Sequence, residues 1–543
     1  MTHFWNPKSV VAWKIEPSDE NNEQAGEGPA VDGESVPRGV IDGLVLPKAI
    51  RVYADMGTSG RIYRLFIPGM DLIHDFFNGA LFAYRSKPSA GKGSLSGSSF
   101  TVTIDSDKLV VRPQGSTTIT TDVLQFEDVI AVNHGDLTMH ITVLEAKPKS
   151  CMSRAGRRRR DIYLRREEPS NILDLASTAF LHHALGDLDE MVNSAECPTR
   201  TRMLVLVNPA SGKGQAEKLY REYAAPLFKL ASDRFIVETV MTVSSQHIRH
   251  LGMDNADKYD AFVTCGGDGG IYQLPDWQYL FKHLKLGMLP GGSGNGLSTS
   301  AVYASEKDFY GDIEGFVGDF NAAMRLILRG KTTPLDGAII KSGGSAGGES
   351  CIGFLNGTWG FFSDVDIESE KYRFIGEARF TLYGLWRILR LRHYQGRISY
   401  ILSSDMKGRE ALKELPLDDS PLWTTEEGDF AGVWLNNLSH SAPNLLIAPD
   451  QRLNDGQWSL RCPKREDFTF SKFAKSSASV STGKNTDMAP SWVEKCVVAW
   501  KIEPADDEVM ERGVGFCIDG EIIPRGEVAA YVSPGLLHVY AEP

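Results

Sequence analysis

The chain has 543 residues, 24% of them charged and 42% hydrophobic, and a formal net charge of −12 at pH 7. That length predicts several domains with ample core, and the acidic balance argues against a nucleic-acid binder. Its seven cysteines (Cys151, Cys197, Cys265, Cys351, Cys462, Cys496, Cys517) show no zinc-like spacing, and no run of roughly 18 apolar residues predicts a membrane span. With no charged-then-apolar leader, the expectation is a cytoplasmic protein that meets membrane only peripherally.

The chain opens on a repeat. Residues 5–54 and 492–541 align without a gap: Val10 to Pro17 recurs as Val497 to Pro504, Asp32-Gly33-Glu34 as Asp519-Gly520-Glu521, and Pro37-Arg38-Gly39 as Pro524-Arg525-Gly526. Each copy reads as strand, turn, strand. In the first copy Pro29 and Ser35 replace Phe516 and Ile522, positions that a sandwich strand is expected to bury. The C-terminal copy is therefore expected to be the working one. Residues 1–55 form one segment on this reading.

Residues 56–195 read as a β-rich module of possible pleckstrin-homology type. Strands are predicted at Phe100–Ile104, Lys108–Arg112, Asp128–Val132 and Met139–Leu144. A closing helix is predicted over Asn171–Asn193, with Ile172, Leu175, Phe180, Leu181 and Leu185 on one stripe. Arg157 to Arg160 form a basic run, readable as an anionic-lipid site or, more often, as a solvated loop.

From Arg202 the pattern becomes α/β. Strands are predicted at Met203–Val207, Phe235–Met241, Ala261–Thr264 and Leu286–Leu289, and helices at Gln215–Ala231 and around Ser245–Met253. Residues 196–330 form this domain. Residues 331–543 read as short β-runs, interrupted by one helical stretch over Glu377–His393 and by a Ser/Lys/Thr-rich segment, 463–490, read as a flexible insertion.

Three glycine loops follow apolar runs: Asn208-Pro-Ala-Ser-Gly-Lys-Gly214, Gly266-Gly-Asp-Gly269 and Gly291-Gly-Ser-Gly-Asn-Gly-Leu297. Glycine lets backbone N–H groups approach a phosphate with no Cβ in the way. Asp268, between glycines past a strand, suits a general base or a magnesium ligand. An Asp-Gly turn alone usually carries no chemistry; the company of two further loops favours function.

These loops resemble the nucleotide-binding motifs of the diacylglycerol kinase catalytic superfamily. Trp359 to Arg373 and Ile375 to Leu382 resemble the signature of sphingosine kinases, and the likeness covers residues 202–543. The resemblance implies an α/β ATP-binding domain followed by an antiparallel β-sandwich that holds lipid. It implies ATP and Mg²⁺ as cofactors and a sphingoid base as substrate, phosphorylated on its primary hydroxyl. Asp268 becomes the base. Asn208, Ser211, Lys213, Gly214, Thr242, Gly267, Gly269, Gly292, Ser293, Gly294, Asn295, Arg373, Arg379, Gly520 and Glu521 fall to ATP, and Asp519 to the metal. Asp366 would pair with the ammonium, alongside Asn356, Leu382 and Leu385. Glu368 reads as a solvated acidic turn. The stripe of Leu382, Leu385 and Trp386, with Arg387 and Arg390, reads as a membrane-facing lipid gate or as a core helix with snorkelling arginines; the resemblance favours the gate.

The chain departs from the family pattern after Asp268. Gln273 stands where the family carries Glu, and Pro275 forbids the usual helix there. Two alternatives stay open on sequence alone. One is a ceramide or diacylglycerol kinase of the same fold, against which Asp366 and the lack of a Cys-x3-Cys-x3-Cys cluster both speak. The other is a catalytically degenerate lipid- or nucleotide-binding protein.

Overall fold

The computed structural model describes residues 200–542 apart from 256, 273–283, 311–317, 344–349, 376–377, 481–482, 484–491, 506–514 and 524–525. Before residue 200 it describes 10–15, 40–41, 44–45, 51–57, 60–68, 81–88, 99–104, 108–113, 122–135, 138–147, 156–166, 180–181 and 184. The chain forms two compact units. The first comprises Met1–Ala146, Arg157–Arg200 and Lys229–Arg234; the second comprises Lys147–Gly156, Thr201–Phe228 and Phe235–Pro543.

A seven-stranded sheet runs in the first unit, in the order Val129–Gly135, Thr138–Lys147, Gly156–Arg166, Leu81–Pro88, Ser99–Ile104, Lys108–Pro113, Asp122–Gln125. Of the predicted closing helix, Phe180, Leu181 and Ala184 are described; all three are buried, and Phe180 meets Phe126 edge-on at 5.4 Å. The other stripe residues lie outside the described residues. Arg157 to Arg160 do not form a loop. They lie in the strand Gly156–Arg166, and each has an acidic partner: Arg157 with Asp128, Arg158 with Glu145 (2.6 Å), Arg159 with Asp161 (3.0 Å) and Arg160 with Glu145 (3.1 Å). Asp128 and Glu145 come from distant sequence, so the run looked uncompensated on a linear reading.

The two copies of the repeat pair differently. Val10–Ile15 lies antiparallel to Gly60–Pro68, whose other edge takes Arg51–Gly57. Its counterpart Lys495–Pro504 is bordered by Tyr394–Leu402, Trp458–Arg461 and Val528–Tyr540. Asp32, Gly33 and Glu34 lie outside the described residues. Phe516 is buried as expected, but Ile522 is 54% exposed. It stands on the terminal strand of the sheet, Glu521–Ile523, where one face meets water.

In the second unit four strands are parallel, in the order Phe235–Met241, Thr201–Val207, Ala261–Gly266, Lys285–Pro290. Met203 to Val207 are all buried, as an inner parallel strand requires. The sheet then changes character at one strand. Val528–Tyr540 pairs in parallel with Lys285 and Leu286, and antiparallel with Thr332–Ser342 and Lys495–Pro504. Beyond it the order continues through Trp458–Arg461, Gly432–Asn436, Asn356–Gly360 and Phe516–Ile518. The antiparallel half packs on an aromatic core in which the Trp458 and Trp500 rings lie 4.9 Å apart, tilted by 35°.

Two helical expectations change. The stretch over Glu377–His393 is helical only over Ala378–Ile388. Segment 463–490, read as flexible, contains the helix Phe470–Ser479. Thr469 caps it by accepting the Lys472 N–H, and Phe473 packs on Phe361 at 5.3 Å. One aromatic anchor, Phe473 against Phe361 and Phe468, outweighs a polar composition.

Candidate active site

The three glycine loops leave the carboxyl ends of the parallel strands, the usual ligand crevice of such sheets. They pack backbone on backbone. A Cβ on Gly212 (φ +59°) would lie 2.1 Å from the Gly291 carbonyl oxygen, and one on Gly292 would lie 2.4 Å from the Gly267 Cα. Only glycine permits that approach. Asn295, itself left-handed at φ 61°, ties the third loop together: its amide donates to the Gly292 carbonyl (2.7 Å) and its Oδ1 accepts the Gly292 N–H (3.0 Å). It therefore shapes the loop from within.

Asp268 sits where this loop becomes the helix Gly296–Tyr310. Its carboxylate accepts the N–H groups of Gly296 (2.8 Å) and Leu297 (3.0 Å). Burial raises its carboxyl above the ordinary range, and the N–H donors pull the other way. Asp519 is also left-handed, at φ 52°, and accepts three N–H groups, from Phe354, Leu355 and Asn356, each at 2.9 Å. Burial pushes it up to about 7, with the Asp268 charge adding to the rise. Both acids thus organise loops as well as facing the crevice. No group of three or more His, Cys, Asp or Glu side chains poised for a metal exists among the described residues. Two neighbouring carboxylates suit an Mg²⁺ that arrives on phosphates with most of its waters, not a resident ion.

These groups line one cavity of about 800 Å³. Asn208, Ser211, Gly267, Asp268, Gly292 and Ser293 stand on its wall, as do Gly269, Gly294, Gly520 and Glu521. Asn356, Asp366, Arg379 and Phe380 line it too, with an apolar lining of Phe361, Phe362, Trp434, Phe473 and Trp492. Asp366 accepts a hydrogen bond from the Cys517 thiol at 3.5 Å, and burial raises its carboxyl. Arg379 is 5% exposed, pairs with Glu370 at 2.6 Å, and keeps one guanidinium nitrogen without a partner.

Not every expected residue reaches this cavity. Thr242 is buried on the Val207 carbonyl, where both its N–H and its hydroxyl bond, and is not part of the lining. Gly214 (φ +76°) closes the turn of the first loop, off the cavity wall. Lys213 lies in that turn and Arg373 in the 3-10 segment Ser369–Ile375; the side chains of both fall outside the described ones. Gln273 and Pro275 also lie outside the described residues. Leu382 is 57% exposed and Leu385 half-buried, and neither lines the cavity; Phe380 and Thr381 do so instead.

Helix Ala378–Ile388 has two faces. Leu382 and Trp386 are exposed on it, with Leu389 and Arg390 just beyond its end. Arg387, expected to meet head groups, points inward and is 4% exposed. It donates to Asp364 at 2.8 Å, and Arg392 and the Tyr394 hydroxyl (2.6 Å) bond the same carboxylate. Glu368 is no solvated turn either: it accepts from the Tyr383 hydroxyl (2.7 Å) and pairs with Arg392 (3.0 Å).

Comparison with known proteins agrees with this geometry. Residues 202–339 match the diacylglycerol kinase catalytic domain family. Sphingosine kinase 1 of Arabidopsis thaliana is 32% identical over 359 residues, 60% of this chain and 69% of that protein. Sphingosine kinase 1 of Rattus norvegicus is 31% identical over 363 residues, 63% of this chain and 91% of that protein. Among solved structures, a putative diacylglycerol kinase from Bacillus anthracis aligns at 16% identity with a TM-score of 0.44, over 63% of this chain and 98% of that one.

Proposed function

The chain belongs to the sphingosine kinase family, an ATP-dependent lipid kinase of sphingoid bases, and we propose that the cavity lined by Asp268 and Asp366 holds both substrates end to end. The carrying observation is that one cavity is lined together by the glycine loops, by Asp366 and by the aromatic side chains Phe361, Phe362, Trp434 and Trp492. On this reading residues 196–330 hold ATP and residues 331–543 hold lipid as a sandwich. Residues 1–55 and 56–195 precede the kinase, and they share a sheet, since Val10–Ile15 of the first pairs with Gly60–Pro68 of the second.

The first two loops and Ser293 offer N–H groups and small side chains to the phosphates, and the partnerless nitrogen of Arg379 faces the same job. Mg²⁺, when bound with the nucleotide beside Asp519, neutralises phosphate charge. Asp268 takes the proton of the lipid's primary hydroxyl. The freed oxygen forms the new bond to the γ-phosphorus as the bond to the β-phosphate oxygen breaks, and ADP leaves with that electron pair. The product is a sphingoid base 1-phosphate.

Asp366 selects the substrate. A carboxylate that burial disfavours is stabilised by a cation, and a sphingoid base supplies an ammonium. Ceramide and diacylglycerol do not. Sphingosine is expected to exceed both in kcat/KM, and Asp366→Asn to reduce the sphingosine value by roughly 10–100-fold, the worth of a charge-assisted bond. The same rate and the same ranking in the variant would sink the pairing.

The outer face of Ala378–Ile388 is the proposed membrane contact. Leu382, Trp386 and Leu389 would enter the interface, with Arg390 beside them, since its guanidinium already lies 5.2 Å from the Trp386 ring. Changing the three apolar residues to Ser is expected to weaken co-sedimentation with anionic vesicles and to spare ATP binding. Unchanged co-sedimentation would refute the assignment. No described helix is long and apolar enough to cross a membrane.

A further inference from the structure

Four side chains share one row across the floor of the cavity. Thr358 is the register partner of Cys517 on one side and of Trp434 on the other, and Trp434 is the partner of Arg461. Directly paired antiparallel residues point to the same face. Thr358, Trp434 and Arg461 all line the cavity, and Cys517 touches Asp366 from beneath it. Thr358 therefore stands one strand, about 5 Å, from the residue that contacts the ammonium anchor. Along its own strand it shares a face with Asn356, two residues nearer the glycine loops.

Thr358 is 8% exposed, and its hydroxyl has no hydrogen-bond partner within the chain. A buried hydroxyl without a partner is unfavourable, and a valine of the same shape would avoid the penalty. In a cavity wall such a group is satisfied by a polar atom of the ligand. With Asp366 selecting for an ammonium as proposed above, the polar atom belongs to a free sphingoid base and not to diacylglycerol or ceramide. Past the amine, the atoms such a base can offer at this range are hydroxyls on the next carbons of its chain.

We infer that Thr358 is a specificity-determining residue, whose hydroxyl bonds a chain hydroxyl of the sphingoid base within two carbons of its amine-bearing carbon. The inference deepens the functional reading above and rests on it. A site that offers a buried hydroxyl partner discriminates against the substrate analogue lacking it more strongly than an apolar pocket discriminates between chain lengths. Row geometry accommodates the hydroxyl on carbon 3 or the one on carbon 4, and the test separates them.

The experiment measures kcat/KM for three saturated bases: the 3-hydroxy base, its 3,4-dihydroxy counterpart and the 3-deoxy analogue. Each is tried on the wild type, Thr358→Val and Thr358→Ser. The wild type is expected to favour one hydroxylated base over its deoxy partner by roughly 3–10-fold, a single net hydrogen bond. Thr358→Val should erase that preference and leave the deoxy partner's rate unchanged; Thr358→Ser should restore it. Loss confined to the 4-hydroxyl assigns the contact there, and loss confined to the 3-hydroxyl assigns it there. A uniform fall across all three bases, or an unchanged preference in Thr358→Val, overturns the proposal. The functional reading fails separately, in the wild type, if ceramide is phosphorylated as well as any free base; Thr358 then has no ammonium-anchored partner and falls with it.

Discussion

Asp268→Asn is expected to lower kcat by about 10²–10⁴, the usual contribution of a positioned base. Asn cannot accept the proton of the attacking hydroxyl. Burial raises the Asp268 carboxyl, which makes it a better proton acceptor than a surface aspartate, and the helix N-terminus keeps it oriented. The substitution has a structural side as well. The Asn carbonyl can accept one of the two N–H groups, but its NH₂ then faces the other. An unmatched buried donor costs about 1–3 kcal/mol, so the melting temperature should fall while the transition stays cooperative. ATP binding and a single melting step therefore accompany the rate measurement. Turnover within a few-fold of wild type, in a protein that still binds ATP, would reject Asp268 as the base.

What could be read from the sequence was what local chemistry dictates. The glycine loops were legible because glycine is required where backbone meets backbone, and Gly212 and Gly292 meet it at once. The parallel strands were legible from their apolar runs. Asp366 was legible through resemblance, and the structure sets it on the cavity wall. Roles set by long-range partners were not legible. Arg387 was placed with Arg390 because both follow an apolar stripe, yet its partner Asp364 lies on a different helix. Arg157 to Arg160 looked free because Asp128 and Glu145 come from other elements, a 3-10 turn and a neighbouring strand. Asp519 read as a metal ligand, and its carboxylate also holds three N–H groups more than 160 residues upstream. The aromatic wall escaped notice for the same reason: Phe362, Trp434 and Trp492 converge from three separate segments. The cap at Thr469 carried a local signal, a threonine before a run that includes Phe470 and Phe473, masked by the serines and lysines around it.

Deleting residues 492–543 is expected to abolish folding of the kinase unit, whereas deleting 1–55 should leave its activity and melting temperature unchanged. The asymmetry follows from pairing. The C-terminal segment contains Val528–Tyr540, the strand through which the parallel and antiparallel halves join, and Lys495–Pro504, which is bordered by three others. It also carries the last anchor of the chain. Glu542 pairs with Arg329 at 2.8 Å and its N–H reaches the Ser305 hydroxyl, while the Thr333 hydroxyl donates to the Ala541 carbonyl. Trp500, Phe516 and Val532 belong to the core of the antiparallel half, so their loss would open it to water at several kcal/mol for each large side chain. By contrast, among the described residues Val10–Ile15 borders only Gly60–Pro68, in the first unit. Its likeness to Val497–Ile502 confers no place in the kinase sheet, because pairing there is decided by neighbours that the N-terminal copy lacks. Soluble expression, a cooperative melt and turnover of sphingosine, measured on both truncations, check the two halves together. A folded, active protein lacking 492–543, or an unfolded kinase unit after loss of 1–55, would mean that the N-terminal copy supplies the working strands.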